Sequence, residues 1–175
     1  MNTFTGIEIT KAHQKDFNGI QWVLRTINKE NYMYKRIYFE NGYCVGTDGH
    51  RMHIYEYVDE YKNGVYEKVL NTSGKIVLKY IPDQKYLDWT NTPNTPVKPQ
   101  ELELLPYIIT LAYTNIVRNM DPSVTIQYDF FNDLFRSTYT KWTAYIYNRT
   151  DGVWFVTDQR VGLIMPMHTG ENKIP

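Results

Sequence analysis

Between Lys35 and Val58 the sequence reads KRIYFENGYCVGTDGHRMHIYEYV, and this stretch constrains the fold more than any other. It is rich in β-branched and aromatic residues, which suit a pleated, half-buried surface. Two turn signals interrupt it. Glu40-Asn41-Gly42 supplies a tight hairpin turn, because Asn-Gly accepts the positive φ that short loops between strands demand. Thr47-Asp48-Gly49 supplies a second, with Gly49 free to take a positive φ. Strands joined by turns this short pair antiparallel.

The flanking elements follow from periodicity. Phe4 to Ile9 reads as a short strand, with Thr10 as a helix N-cap. Lys11 to Ile27 then reads as a helix, with Phe17, Ile20, Leu24 and Ile27 at helical spacing and Asn28 at its end. Tyr66 to Leu70 and Lys75 to Ile81 read as strands joined by Asn71-Thr72-Ser73-Gly74. Pro82 to Gln100 holds four prolines and reads as a long loop with a short helical turn near Tyr86 to Trp89. Glu101 to Met120 reads as the second helix, with Leu104, Leu105, Ile108, Leu111, Ala112 and Ile116 as its buried stripe. Pro106 sits near its start, where proline is tolerated, and Asp121-Pro122 ends it. Three strands follow: Val124 to Tyr128, Tyr139 to Asn148 and Val153 to Pro166. Asp151-Gly152 is the hairpin turn between the last two, and Gly162 a bend in the final one. The tail from His168 to Pro175 reads as irregular. A β-α-sheet pattern thus occurs loosely twice. The expected fold is α+β, two amphipathic helices on antiparallel sheets, taken as a single domain over residues 1–175.

Composition narrows the function. Apolar residues make up 42% of the chain, enough for a core. Lys plus Arg equals Asp plus Glu at 19 each, so contact with nucleic acid has to come from the distribution of charge. Cys44 is the only cysteine, which excludes an internal disulfide and a Cys-based zinc site. The first residues lack the apolar core of a signal peptide, and no apolar run reaches membrane-span length. The expectation is a cytoplasmic protein without a membrane partner.

Motifs for catalysis do not occur: there is no Gly-rich phosphate loop, no G-x-S-x-G and no H-E-x-x-H. No enzymatic activity and no cofactor are expected. Asp48, His50 and His53 come nearest to a metal set, but on a strand 48 and 50 share a face and 53 points away. Asp158 and Arg160 are expected to pair across the sheet. The first helix carries a more specific signal. On a wheel, Lys11, Lys15, Asn18, Arg25 and Lys29 fall within about 80° of one another, with Trp22 among them. Such a face suits contact with phosphates without sequence reading, and Lys11, Lys15, Trp22, Arg25 and Lys29 are the candidate DNA-contacting residues. An ordinary solvated face is the alternative, and the second helix adds only Arg118.

Two segments carry a resemblance. Val45 to Met52, VGTDGHRM, resembles the ATDGHRL motif of the bacterial replicative sliding clamp, the β subunit of DNA polymerase III. Leu163 to Met167, LIMPM, resembles the VMPM strand that closes the same clamp. Tyr32 to Glu40, YMYKRIYFE, stands where the family has an RYYLNGVLFE-like strand. The resemblance implies a pocket for short clamp-binding peptides. Thr47, Gly49, His50, Arg51 and Met52 would form one wall, and Met165, Pro166 and Met167 the other. Methionine suits an adaptable apolar pocket, and Arg51 and His50 can bond peptide carbonyls or carboxylates. The residues alone leave another reading open: a well-made turn, in which Asp48 bonds its own backbone and Arg51 pairs with a surface carboxylate.

The departures are equally specific. The family's chain carries three domains and pairs into a ring, with the two motifs in its middle and last domains. Here both lie in one short chain, His168 stands where the family has a basic residue, and the proline-rich loop has no counterpart. The resemblance implies a non-enzymatic processivity accessory of DNA replication. Its partners would be duplex DNA, DNA polymerase or other clamp-binding peptides, and further copies of itself. The alternative is a clamp-fold module of a phage or mobile element that binds peptides or a host replication protein without encircling DNA.

Overall fold

A computed structural model describes residues 5–12, 15–27, 35–86, 100–104, 109–135, 141–147 and 150–168. The chain clusters into two compact units, Met1–Thr92 and Pro93–Pro175.

The first unit contains β1 (Gly6–Thr10), α1 (Phe17–Val23), a 3-10 turn (Leu24–Thr26), β2 (Arg36–Glu40), β3 (Tyr43–Thr47), β4 (Arg51–Glu56), β5 (Gly64–Asn71) and β6 (Lys75–Ile81). The strands run in the order β1-β6-β5-β2-β3-β4, each pair antiparallel. Asn41 and Gly42 take φ of 48° and 90°, and Gly49 takes 89°, so both short turns form where Asn-Gly and Asp-Gly place them. Phe17, Ile20, Val23 and Leu24 are buried, as are Ile37, Phe39, Val45, Ile76 and Leu78 in the strands. Gly46 lets helix and sheet approach: a Cβ there would meet Val23 Cγ1 at 2.9 Å and the Val23 carbonyl oxygen at 3.1 Å.

The helix is shorter than its sequence pattern. Thr10 belongs to β1, Lys11 and Lys15 lie in turns, and helical structure begins at Phe17. Two interactions hold the chain out of the helix before that point. Lys11 N–H donates to the Gly74 carbonyl at 3.0 Å, which prolongs the pairing of β1 past the start of β6. The wholly buried Asp16 carboxylate accepts from Tyr55 Oη at 2.9 Å, Val58 N at 3.0 Å and Asp59 N at 2.7 Å. It thereby ties the start of α1 to the connection after β4.

The second unit contains β7 (Gln100–Leu104), α2 (Ile109–Asn119), β8 (Val124–Thr125), α3 (Tyr128–Phe135), β9 (Trp142–Ile146), β10 (Val153–Val156), β11 (Arg160–Ile164) and β12 (Met167–His168). Its strands run β11-β10-β9-β7, again antiparallel, and β12 pairs with β8. Three sequence expectations change. Gln100–Leu104 is a strand, not the first turn of a helix, and α2 begins at Ile109 among the described residues. Leu105, Pro106 and Ile108 lie outside the described residues, and Leu111 is exposed. Tyr128 opens α3 instead of closing a strand. The stretch Val153 to Pro166 is two strands folded on a tight turn, in which Thr157 N donates to the Arg160 carbonyl at 2.9 Å.

Gly162 sits in β11 opposite Phe155, where Leu134 of α3 packs; a Cβ would meet Leu134 Cδ1 at 2.1 Å. Residues 87–99 lie outside the described residues, and with them most of the helical turn expected near Tyr86 to Trp89. Tyr86 itself stacks on Tyr38, ring centroids 5.3 Å apart. The architecture is α+β, with helices packed on antiparallel sheet in each unit. Among the described residues no helix is long and apolar enough to cross a membrane.

Candidate functional site

The turn between β3 and β4 is built by its own side chains. Thr47 Oγ1 donates to the Arg51 carbonyl at 2.7 Å and accepts from Gly49 N at 3.1 Å. Asp48 Oδ1 accepts from His50 N at 3.1 Å and Arg51 N at 3.0 Å. This is the Asx-type bonding that makes Asp a turn residue. Asp48 Oδ2 accepts from Arg51 Nε at 3.0 Å, and Arg51 Nη2 donates to the Arg25 carbonyl at 2.9 Å. The two charged side chains are almost fully covered, at 9% and 8% exposure. Thr47 and Met52 are buried as well, whereas Gly49 and His50 are exposed.

The turn therefore presents Gly49 and His50 and keeps the Arg51 guanidinium inside. Arg51 finds its carboxylate within the turn, not on a distant part of the surface. His50 and His53 have different surroundings. His53 is wholly buried, stacked on Trp22 with centroids 4.0 Å apart, and its Nδ1 lies 3.0 Å from the Trp22 carbonyl oxygen.

That stacking corrects one sequence assignment. Trp22 is only 1% exposed, so it is a core residue and not a platform for DNA. Trp22 lies within α1 and is covered by His53 of β4, a neighbour that no wheel of one helix contains. Lys11 and Lys15 are exposed but precede the helix, and Arg25 is half-buried in the 3-10 turn. Lys29 lies outside the described residues.

In the second unit, Met165 is exposed, and Pro166 and Met167 are half-buried. Met167 and His168 pair with Thr125 and Val124, so this segment is fixed by a short ladder and does not hang as a tail. Asp158 lies in the turn after β10 and lines a shallow, open hollow of about 420 Å³ with Lys141, Thr143, Tyr145, Val156 and Thr157. Lys141 forms a close ion pair with Glu103 of β7 beside it. Among the described residues no three His, Cys, Asp or Glu side chains converge as a metal-binding group.

One buried polar residue escaped the sequence reading. No motif marks Asp16, yet its carboxylate is the anchor for Tyr55, Val58 and Asp59. Its neighbours respond to it. Burial, reinforced by Asp16, pushes the Cys44 thiol well above its ordinary range. Burial, with Asp16 and Asp59, likewise pushes up the Tyr61 hydroxyl.

In strand order, helix placement and turn geometry, the fold is similar to that of solved sliding clamps. No family model and no curated protein sequence matches the chain; the likeness is one of structure. DNA polymerase III subunit beta from Borrelia burgdorferi aligns at a TM-score of 0.65 and 16% identity, covering 94% of this chain and 64% of that one. The beta subunit from Thermotoga maritima aligns at 0.64 and 8% identity, covering 96% and 66%. The DNA polymerase sliding clamp from Bacillus subtilis aligns at 0.59 and 9% identity, covering 97% and 66%. This chain thus spans slightly under two thirds of the length of these three clamps.

Proposed function

We propose that the chain is a non-enzymatic, clamp-like accessory of DNA replication that contacts duplex DNA and docks short partner peptides. The observation that carries this reading is the agreement of fold with DNA polymerase III beta subunits over nearly the whole chain. Clamps act by topology and docking, so the reading requires no catalytic group. The proposed docking residues are Gly49 and His50 at the exposed tip, supported by Thr47, Arg51 and Met52, together with Met165, Pro166 and Met167. The proposed DNA-facing residues are Lys11, Lys15, Arg25 and Lys29; Trp22 is no longer among them.

A second reading has an observation in its favour. The helix is short and Lys11 and Lys15 precede it, which thins the basic surface that α1 itself offers a duplex. A clamp-fold module that binds peptides or a host replication protein, without encircling DNA, needs no such surface.

Retention on DNA of defined topology separates the two. A clamp-like protein stays on a closed circular duplex and is lost when that duplex is linearised. Replacing Lys15, Arg25 and Lys29 with Glu then weakens retention and lowers its dependence on salt, because fewer counterions are released. A monomer that binds clamp-binding peptide but neither duplex form sinks the first reading and supports the second.

A further inference from the structure

Arg51 opens β4 directly after the turn from β3, and its guanidinium is engaged on two sides by groups from different elements. Nε donates to Asp48 Oδ2, and Nη2 donates to the carbonyl of Arg25. Arg25 belongs to the 3-10 turn that ends the helical segment. The last carbonyls of a helix have no intrahelical donor, and positive charge is favoured there. A planar guanidinium can serve a carboxylate and a carbonyl in fixed directions at once, which a flexible ammonium does poorly.

Asp48 is held in its turn by the backbone of His50 and Arg51. A continuous path thus runs from the exposed tip, through Asp48 and Arg51, to the backbone of Arg25. The ion pair in its middle is almost fully covered. Breaking a covered pair leaves a charge without its partner, so the link is costly to break.

We propose that Arg51 is a positioning residue that registers the Gly49-His50 tip on the end of the first helix, so that His50 and Arg25 are presented as one unit. This rests on the proposed function for its consequence, since those two side chains belong there to the docking and DNA-facing sets.

The test is made on the full chain without ligand, by NMR. In the wild type, the Arg51 guanidinium protons exchange slowly and show contacts to Arg25 and Thr26. Asp48→Asn keeps an acceptor for the His50 and Arg51 amides but removes the charge that orients Nε. It moves the Arg25 carbonyl carbon upfield and shifts the Thr26 amide. Arg51→Lys, which preserves the charge, does the same. Arg25 and Thr26 resonances that stay in place while Gly49 and His50 move overturn the proposal. So do fast-exchanging guanidinium protons in the wild type, a readout that survives if either variant fails to fold. Linked shifts in a protein that binds no duplex would leave the positioning role standing and remove the DNA reading instead.

Discussion

Cys44 is wholly buried in β3, and desolvation, with the Asp16 carboxylate adding to it, raises its thiol well above the ordinary value of 9.0. Tyr61 is raised by burial and by the same carboxylate. Both groups are neutral when protonated, and the folded state holds those protons more tightly than the unfolded chain does. Their stabilisation is therefore complete below the unfolded values and is lost as pH rises from about 9 toward the folded ones. Urea midpoints are expected to fall on the alkaline side, and Cys44→Ala to flatten part of that fall. Native protein is expected to resist a thiol reagent at pH 8 and to react once unfolded, since the thiolate is the nucleophile. A native thiol that reacts as fast as the unfolded one would contradict the burial. At this scale the sequence was legible where chemistry is local: Asn41, Gly42 and Gly49 adopt the backbone their turns require. It was not legible for Trp22 or Arg51, whose surroundings come from residues distant in the chain.

The third helix shows the same division among elements. Residues 128–135 read YDFFNDLF, and the sequence reading closes a strand at Tyr128 and assigns no helix beyond it. Phe131, Leu134 and Phe135 nevertheless recur at helical spacing, and all three are buried. Phe131 packs between Phe135 at 4.6 Å, Tyr113 at 5.5 Å and Phe155 at 5.6 Å, ring to ring. It therefore joins α2, α3 and β10 within the second unit. Phe131→Ala is expected to cost about 3–5 kcal/mol, the range for removing a buried aromatic ring, measured by chemical denaturation. A loss below about 1 kcal/mol would mean that α3 is not seated as described, since even small buried deletions cost that much. Glu101–Leu104 went the other way: Glu-Leu-Glu-Leu alternates with period two, and the apolar run after it masked that alternation. The hairpins of the first unit were legible because turn chemistry fixes them locally, whereas short elements between long ones are decided by packing.

At the scale of the whole molecule, the proposed docking residues fall in two segments, one in each unit. The clamp likeness covers nearly all of this chain but slightly under two thirds of the Borrelia burgdorferi and Thermotoga maritima beta subunits. In our proposal one wall is the Thr47 to Met52 segment and the other is Met165-Pro166-Met167. Whether the walls come from one copy or from neighbouring copies changes what binding does. If copies associate head to tail and share the pocket, a ligand touching both stabilises their contact, and apparent affinity rises with protein concentration. Met165 is exposed, so Met165→Ala leaves folding nearly intact and reads binding cleanly. Met165→Ala and Met167→Ala are each expected to weaken a Leu- or Phe-bearing clamp-binding peptide by roughly 1–2 kcal/mol, the scale of an apolar anchor. Peptide titrated against a dilution series of the protein, with mass measured at each point, decides between the arrangements. Affinity that climbs together with mass assigns the pocket to a junction between copies. Constant affinity in a monomer assigns both walls to one chain. Peptide that fails to bind at any concentration, with both methionines in place, removes the docking function itself.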